Sequence, residues 1–285
     1  MKPKNCLIFG ASGQIGRHLI RKLTKNNYKV TAVTRNLHQK GFILKTQGPT
    51  GWIDCIEANI FEEKVLRDLI NDADICINLI GILFEKRRGS SFKNIHSDFP
   101  NLISRICNES NIQQFIHMSS LGIERSKDSK YAKSKLDGEF YIKKNFRATT
   151  ILRPSVVFSV DDNFTTNFMT LLSNMPIFPI FRNPKFMPIH VSDLTDVILK
   201  VISEEIKERT IECGGPEVLS LKEIILKLLK LINKKRLIIN LPVFIGSIFA
   251  KFFQIFPKPL ITEDQLKLMG QDNVFSGKYK TNFDI

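Results

Sequence analysis

A chain of 285 residues, 43% hydrophobic and 25% charged, can fill one large α/β domain and a smaller appendage, and its composition excludes long disorder. Lys and Arg outnumber Asp and Glu by 42 to 28, a formal charge of +14. The lysines are scattered through every segment, with no basic stripe and no interleaved aromatics. That argues against nucleic acid and suits an anionic cofactor or membrane surface.

The first apolar run, 6–9, follows directly on Met1–Asn5 and leaves no room for a signal or transit peptide, so the expected address is cytoplasmic. A processed organellar chain is the alternative. Further β-rich runs lie at 29–33, 52–57, 75–79, 114–118 and 149–152, and helical patterns at 15–25, 62–70, 92–109 and 129–144. Strands alternating with helices over short connections predict a doubly wound parallel Rossmann sheet. After Pro154 the pattern becomes rich in Pro and Phe, with two more helices predicted at 191–203 and 220–232. Residues 1–155 are therefore expected to form an NAD(P)-binding domain. Residues 156–285 are expected to form a smaller, partly helical lobe over the cleft, with segments returning to the sheet.

Residues 241–256 are strongly apolar, but Pro242 and Lys251 break the run, which is too short to span a membrane. One reading is a helix packed on the core. The other is an amphipathic Phe-rich helix, within 237–261, lying on a membrane or a partner subunit. Lys234, Lys235, Arg236 and Lys258 around it suit an anionic surface.

Cys6, Cys55, Cys76, Cys107 and Cys213 are odd in number and contain no C-x-x-C, which reads as free thiols in a reducing compartment. His18, His38, His96, His117 and His190 show no metal-ligand spacing, so no metal site is expected. His117 is expected to be packed in a strand, and His190 to start a helix with Ser192 and Asp193. Asp161-Asp162 should cap another helix.

Between the first strand and helix stands Gly10-Ala11-Ser12-Gly13-Gln14-Ile15-Gly16. Gly10 allows the tight turn, Gly13 the approach of backbone to a pyrophosphate, and Gly16 close helix–strand packing. N–H groups and the helix dipole at 12–15 then stabilise phosphate charge. The second strand ends Thr34-Arg35, without the carboxylate that would bind a ribose 2′-hydroxyl. Arg35 can pair with a 2′-phosphate, with Arg17 nearby, so NADP(H) is preferred over NAD(H). A solvated surface role for Arg35 is the alternative.

Tyr131 and Lys135, four residues apart, share a helix face. There a phenol can pass a proton while the ammonium lowers its pKa and holds the nicotinamide ribose. Ser119-Ser120, at a strand end, offers a hydroxyl to a substrate carbonyl. Ser120, Tyr131 and Lys135 are the candidate catalytic set.

In this order the glycine loop, Ser119-Ser120, Tyr131-x-x-x-Lys135 and Arg153-Pro154-Ser155-Val156-Val157-Phe158 resemble the short-chain dehydrogenase/reductase superfamily. The resemblance implies that Leu79 and Gly81 of Asn78-Leu79-Ile80-Gly81 pass under the cofactor. It also implies that Asn59 and Ile60 reach the adenine, that Asn94 steadies a helix, and that Pro154 and Val156 touch the cofactor. A narrower resemblance covers nearly the whole chain, through 78–83, 153–158, 161–164, 188–194, 213–219 and the tail 261–269 with Asp272-Asn273-Val274. It is to the atypical branch containing the nucleotide-binding accessory subunit of respiratory complex I and its bacterial relatives. That branch implies NADPH held tightly in a largely structural role beside a quinone-binding region.

The sequence departs from the family at three places. Asn59 replaces a common Asp, Ser159 stands where Gly is usual, and the Ser120–Tyr131 connection is too short to favour a large sugar substrate. Two functions follow. One is a cofactor-holding accessory protein of complex I or another membrane-bound complex, peripheral on the inner face of the membrane. The other is an active reductase or epimerase for a small hydrophobic, quinone or isoprenoid substrate. A regulator that senses NADP(H) is a third.

Overall fold

A computed structural model describes residues 2–85, 90–256 and 259–285. Its centre is an eight-stranded parallel sheet. The first half supplies β1 (Asn5–Phe9), β2 (Lys29–Thr34), β3 (Ile53–Glu57), β4 (Ile75–Asn78), β5 (Gln114–Met118) and β6 (Thr149–Pro154). They alternate with α1 (Gln14–Lys25), α2 (Leu37–Lys45), α3 (Glu63–Asn71), α4 (Phe99–Glu109) and α5 (Lys130–Asn145). Two later strands, β11 (Arg209–Cys213) and β14 (Lys280–Thr281), extend the sheet, whose order is β14-β11-β6-β5-β4-β1-β2-β3. The order reverses between β1 and β4, which opens a crevice at the carboxyl ends of those strands.

The alternation of side chains along β1 explains why its run is apolar throughout. Cys6 and Ile8 face a core built with Leu19, Ile20 and Leu23 of α1 and Ile198 and Val201 of α7 (Val191–Ser203). Leu7 and Phe9 face the opposite core, with Leu66 and Ile70 of α3, Ile103 and Ile106 of α4, and Ile142 of α5. A strand buried on both faces has no polar side to show. Residues 156–285 are thus divided, since α7, β11 and β14 complete the Rossmann layers.

The remaining lobe contains β7 (Val157–Phe158) paired with β10 (Ile189–His190), and α6 (Asn163–Asn174). Two further pairs are β8 (Ile177–Ile180) with β13 (Leu237–Asn240), and β9 (Lys185–Phe186) with β12 (Leu219–Ser220). Leu172, Phe178, Ile180 and the inner face of α8 (Leu221–Leu231) form its core. Ser220 and Glu223 close a capping box on α8, and the short pieces ahead of it explain why sequence pattern alone found no strands here.

Three local features differ from expectation. Helix α2 has Gly41 at its middle and little apolar periodicity, so no pattern announces it. The helix expected over 92–109 opens instead as a π-helical turn, Asn94–Asp98, before α4. Pro100 lacks the N–H that would bond the His96 carbonyl, which loosens the turn. That carbonyl instead meets α5 at Gly138, where a Cβ would come within 2.0 Å of His96 O.

The third feature is α9 (Val243–Phe253), where the core-packed reading fails. Only Gly246 and Ala250 are buried, and Gly246 seats against the Phe181 ring. Phe244 and Phe252 are 65% and 57% exposed, with Ile248 and Phe256 beside them on the outer side. Lys234 and Arg236 hold the Ser173 carbonyl, and Arg236 also that of Leu172. Lys258 lies outside the described residues.

Candidate dinucleotide site

The glycine loop lies at the mouth of the crevice. Gly10 has φ +82, a left-handed conformation, and a Cβ there would crowd the backbone of Leu79 and Ile80 at 3.1 Å. A Cβ on Gly16 would fall 2.4 Å from the Ala11 carbonyl oxygen, so only glycine lets α1 sit this close to β1. Helix α1 starts after Gly13 with no side-chain cap and no acidic residue in its first turn. Its leading N–H groups and positive dipole end are therefore left for an anion. A diphosphate fits this cradle.

The flanking groups are sorted by who holds them. Arg17 donates to the Ser12 carbonyl (2.8 Å) and pairs with Asp161. It is thereby drawn away from the expected 2′-phosphate position. The Ser159 hydroxyl donates to Asp161 (2.6 Å) and accepts from Gln14 (2.9 Å), tying the first turn of α1 to the lobe. The Ser159 hydrogen bond, with Arg17 behind it, holds the Asp161 carboxyl down at about 2. Only Asp162 caps α6, accepting from Thr165 N (2.6 Å); Asp161 serves Arg17 instead.

Arg35, just past β2, is exposed and has no acidic partner among the described residues. Glu57 on the neighbouring strand is already used, accepting from Leu37 N at the start of α2 (2.7 Å). The Asn59 side chain accepts from Phe61 N (3.1 Å) and is exposed, whereas Ile60 is buried.

The opposite end of the crevice is buried. Asn78 Oδ1 accepts from Ile80 N (3.0 Å), which fixes its amide, and Nδ2 donates to His117 Nδ1 (3.2 Å). His117 therefore carries its proton on Nε2. That atom and Ser119 Oγ have no hydrogen-bond partner among the described residues. Buried polar atoms left this way are rare unless a ligand or water reaches them.

Tyr131 is 9% exposed. Its ring meets His96 and Phe92 edge-on, at 5.1 and 5.7 Å between centroids. Burial pushes its phenol pKa up, and the Ser120 hydroxyl opposes the shift. Lys135 Nζ donates to the Met118 carbonyl (3.0 Å), beside Gly81, and burial lowers its pKa to about 8. His96 accepts from Ile82 N at Nε2 (3.0 Å), so its Nδ1–H donates to Ser134 Oγ (3.0 Å). Ser134 donates in turn to the Tyr131 carbonyl (2.7 Å). Burial, and then the nearby Lys135, drive His96 down to about 2, so the imidazole is neutral.

The structure thus brings Ser120 against Tyr131 and Gly81 beside Lys135, while Leu79 follows β4 with its N–H bonded to the Phe9 carbonyl (3.0 Å). Pro154 ends β6, its carbonyl accepting from Leu121 N (2.9 Å), and half-buried Val156 bonds Ile189 N through its carbonyl (2.9 Å). His190 caps α7 by accepting from Ser192 N (3.2 Å). Sequence reasoning missed His96, whose only signal was its place two residues after Asn94. It also missed the buried pair of Arg153 and Glu139, each 3% exposed and joined by bonds of 2.9 and 2.6 Å. Glu139 lies one turn beyond Lys135 on α5. No cluster of three potential metal ligands occurs among the described residues.

The model of a family described as NAD(P)H-binding matches residues 10–205. The chain belongs to that family. It is similar to the mitochondrial NADH-ubiquinone oxidoreductase 40 kDa subunit of Neurospora crassa, 24% identical over 283 residues, covering 98% of this chain and 74% of the relative. Mouse NADH dehydrogenase [ubiquinone] 1 alpha subcomplex subunit 9 is 24% identical over 264 residues, covering 91% and 70%. Among solved structures, gox2253 superposes with a TM-score of 0.74 at 14% identity, over 96% of this chain and 90% of that one. This member of the NAD(P)H-binding family, with its Rossmann-type parallel sheet, is thus a homologue of these complex I subunits over most of its length. Among the described residues no helix is long and apolar enough to cross a membrane.

Proposed function

We propose that this chain is an accessory protein of respiratory complex I type that holds NADP(H) as a resident cofactor. The observation that carries this reading is the pairing of an uncapped, glycine-built phosphate cradle with a Tyr131 sealed in the interior. Such a site binds a dinucleotide at one end and offers little access to a substrate at the other.

In this reading the backbone of Gly10, Ser12, Gly13, Gln14, Ile15 and Gly16 holds the diphosphate, and Arg35 pairs with the 2′-phosphate. Asn59 and Ile60 border the adenine. Leu79, Gly81, Pro154 and Val156 border the nicotinamide half, whose ribose is held by Tyr131 and Lys135. When bound, the dinucleotide would supply or accept a hydride. The exposed apolar side of α9, within 237–261, supports a peripheral place on the inner face of a membrane, against a membrane-bound complex.

The second reading is an NAD(P)H-dependent reductase or epimerase for a small hydrophobic, quinone or isoprenoid substrate. It is favoured by the convergence of Ser120, Tyr131 and Lys135, in which Tyr131 would move the proton at its phenol oxygen. Tyr131→Phe separates the two. The accessory reading expects NADPH binding weakened only by the loss of one hydroxyl contact, by roughly tenfold or less, with equal recovery in the membrane fraction and no turnover in either protein. Turnover that falls by orders of magnitude in the variant would overturn it and establish the enzyme.

A further inference from the structure

After α9 the chain returns to the crevice. A short helix, α10 (Glu263–Leu268), begins with a capping box in which Thr262 and Gln265 bond each other's backbone. Between them Asp264 reaches out to α5. Its carboxylate accepts from Ser129 Oγ (2.7 Å), Lys130 N (2.7 Å) and Tyr131 N (3.1 Å). The first two N–H groups of the helix that carries Tyr131 and Lys135 are thus satisfied by a residue over 130 positions away. A carboxylate at a helix start gains from both the charge-assisted bonds and the dipole. Leu268, one turn on, packs in the apolar cluster of Tyr131, Phe92 and Ile123.

The next residues cross two strand-end loops. Asn273 Oδ1 accepts from Ser155 Oγ (2.5 Å), its Nδ2 donates to the Leu121 carbonyl (2.6 Å), and its N–H donates to Lys185 O (2.7 Å). One side chain therefore ties the loop after β5 to the loop after β6. Arg125 donates to the Val274 carbonyl. Gly122, at φ +79, admits the segment so closely that a Cβ there would lie 3.3 Å from Asp272 O. The contacts of 264–274 fall on 121–131 and 155, the segments that adjoin Ser120, Tyr131 and Val156, and on the lobe strand at Lys185 and Phe186, where Lys185 N also donates to Asp272 (2.8 Å).

We propose that residues 262–274 are a retention clasp for the nicotinamide half of a bound dinucleotide, with Asp264 and Asn273 as its positioning residues. The inference rests on the resident-cofactor reading above. Release requires the clasp to lift, which breaks the Asp264 and Asn273 bonds together. Lifting the clasp therefore limits dissociation, while the phosphate cradle, formed from 10–16 alone, limits uptake much less.

The test is to load the whole protein with NADPH, chase with excess NADP+, and follow the decay of bound NADPH fluorescence. Asp264→Ala and Asn273→Ala should speed dissociation by roughly tenfold or more while association changes by less than about threefold. Asp264→Asn, which keeps one acceptor oxygen, should fall between, and with Asn273→Ala it carries the test if Asp264→Ala does not fold. Leu228→Ala, in the lobe core, should lower the melting temperature and leave dissociation unchanged. Unchanged dissociation in the clasp variants, or equal acceleration by Leu228→Ala, overturns the clasp alone. A wild-type chain that takes up no NADPH overturns the clasp and the resident-cofactor reading together.

Discussion

The two ends of the crevice are built on different principles. At the glycine-loop end the candidate groups are backbone N–H donors and two exposed side chains, Arg35 and Asn59, drawn from short, contiguous stretches. At the other end the groups are buried and come from five distant segments: 78–82, 94–96, 117–120, 129–139 and 264–273. The first end presents uncapped N–H groups and an exposed cation to solvent. The second spends most of its polar groups on one another, His117 Nε2 and Ser119 Oγ excepted, so changes there should act on stability and release before they act on recognition.

The largest effect is expected at the buried end. Glu139→Ala strands the Arg153 guanidinium in the core with Glu124 as its remaining carboxylate among the described residues and the Tyr279 ring face at 4.6 Å. That should cost about 3–5 kcal/mol, or roughly 10 °C in melting temperature by calorimetry. A loss under about 1 kcal/mol, the range of surface pairs, would erase the contrast between the ends. Next comes Gly16→Ala, whose Cβ cannot fit against Ala11 O. It should weaken titrated dinucleotide binding by about 2–3 kcal/mol, and an unaffected affinity would remove the cradle from the site.

Smaller and more selective, Arg35→Asp should weaken NADPH by roughly 10- to 100-fold and NADH much less. Equal losses would contradict the 2′-phosphate role. The smallest effect is pH-dependent. Lys135 is held at about 8, against 10.5 for a free lysine. Between those values the unfolded chain binds the extra proton, so this group's contribution to stability rises with pH across the window. The ammonium contact to a ribose proposed for it would be lost over the same rise. NADPH affinity should therefore fall by roughly threefold from pH 7 to 9, and Lys135→Gln should flatten that profile.

The same contrast decides how much was legible in the sequence. The sheet, α1 and the glycine loop were readable because a strand, a turn and a helix in direct succession each impose a local period or residue type. That Tyr131 and Lys135 share a helix and that Ser120 lies beside Tyr131 was readable from spacing and order. What local pattern could not announce is tertiary. The link from His96 to Tyr131 through Ser134 depends on Pro100 opening a π-turn against Gly138. The partners of Glu139 and Asp264 lie on other elements. Arg17 looked available because Asp161, which holds it, lies 144 residues on. The outward apolar side of α9 was ambiguous because its run is apolar on every side, and only the position of Phe181 shows which way Gly246 faces.

The central claim is that the dinucleotide resides in this site, and the most direct measurement is of what the purified protein already carries. Nucleotide released by acid and base denaturation, separated chromatographically, should amount to about one equivalent of NADP(H) per chain, with little NAD(H). Protein that folds, retains its melting temperature and releases no dinucleotide would contradict the account, and a full equivalent of NAD(H) would contradict its choice of cofactor.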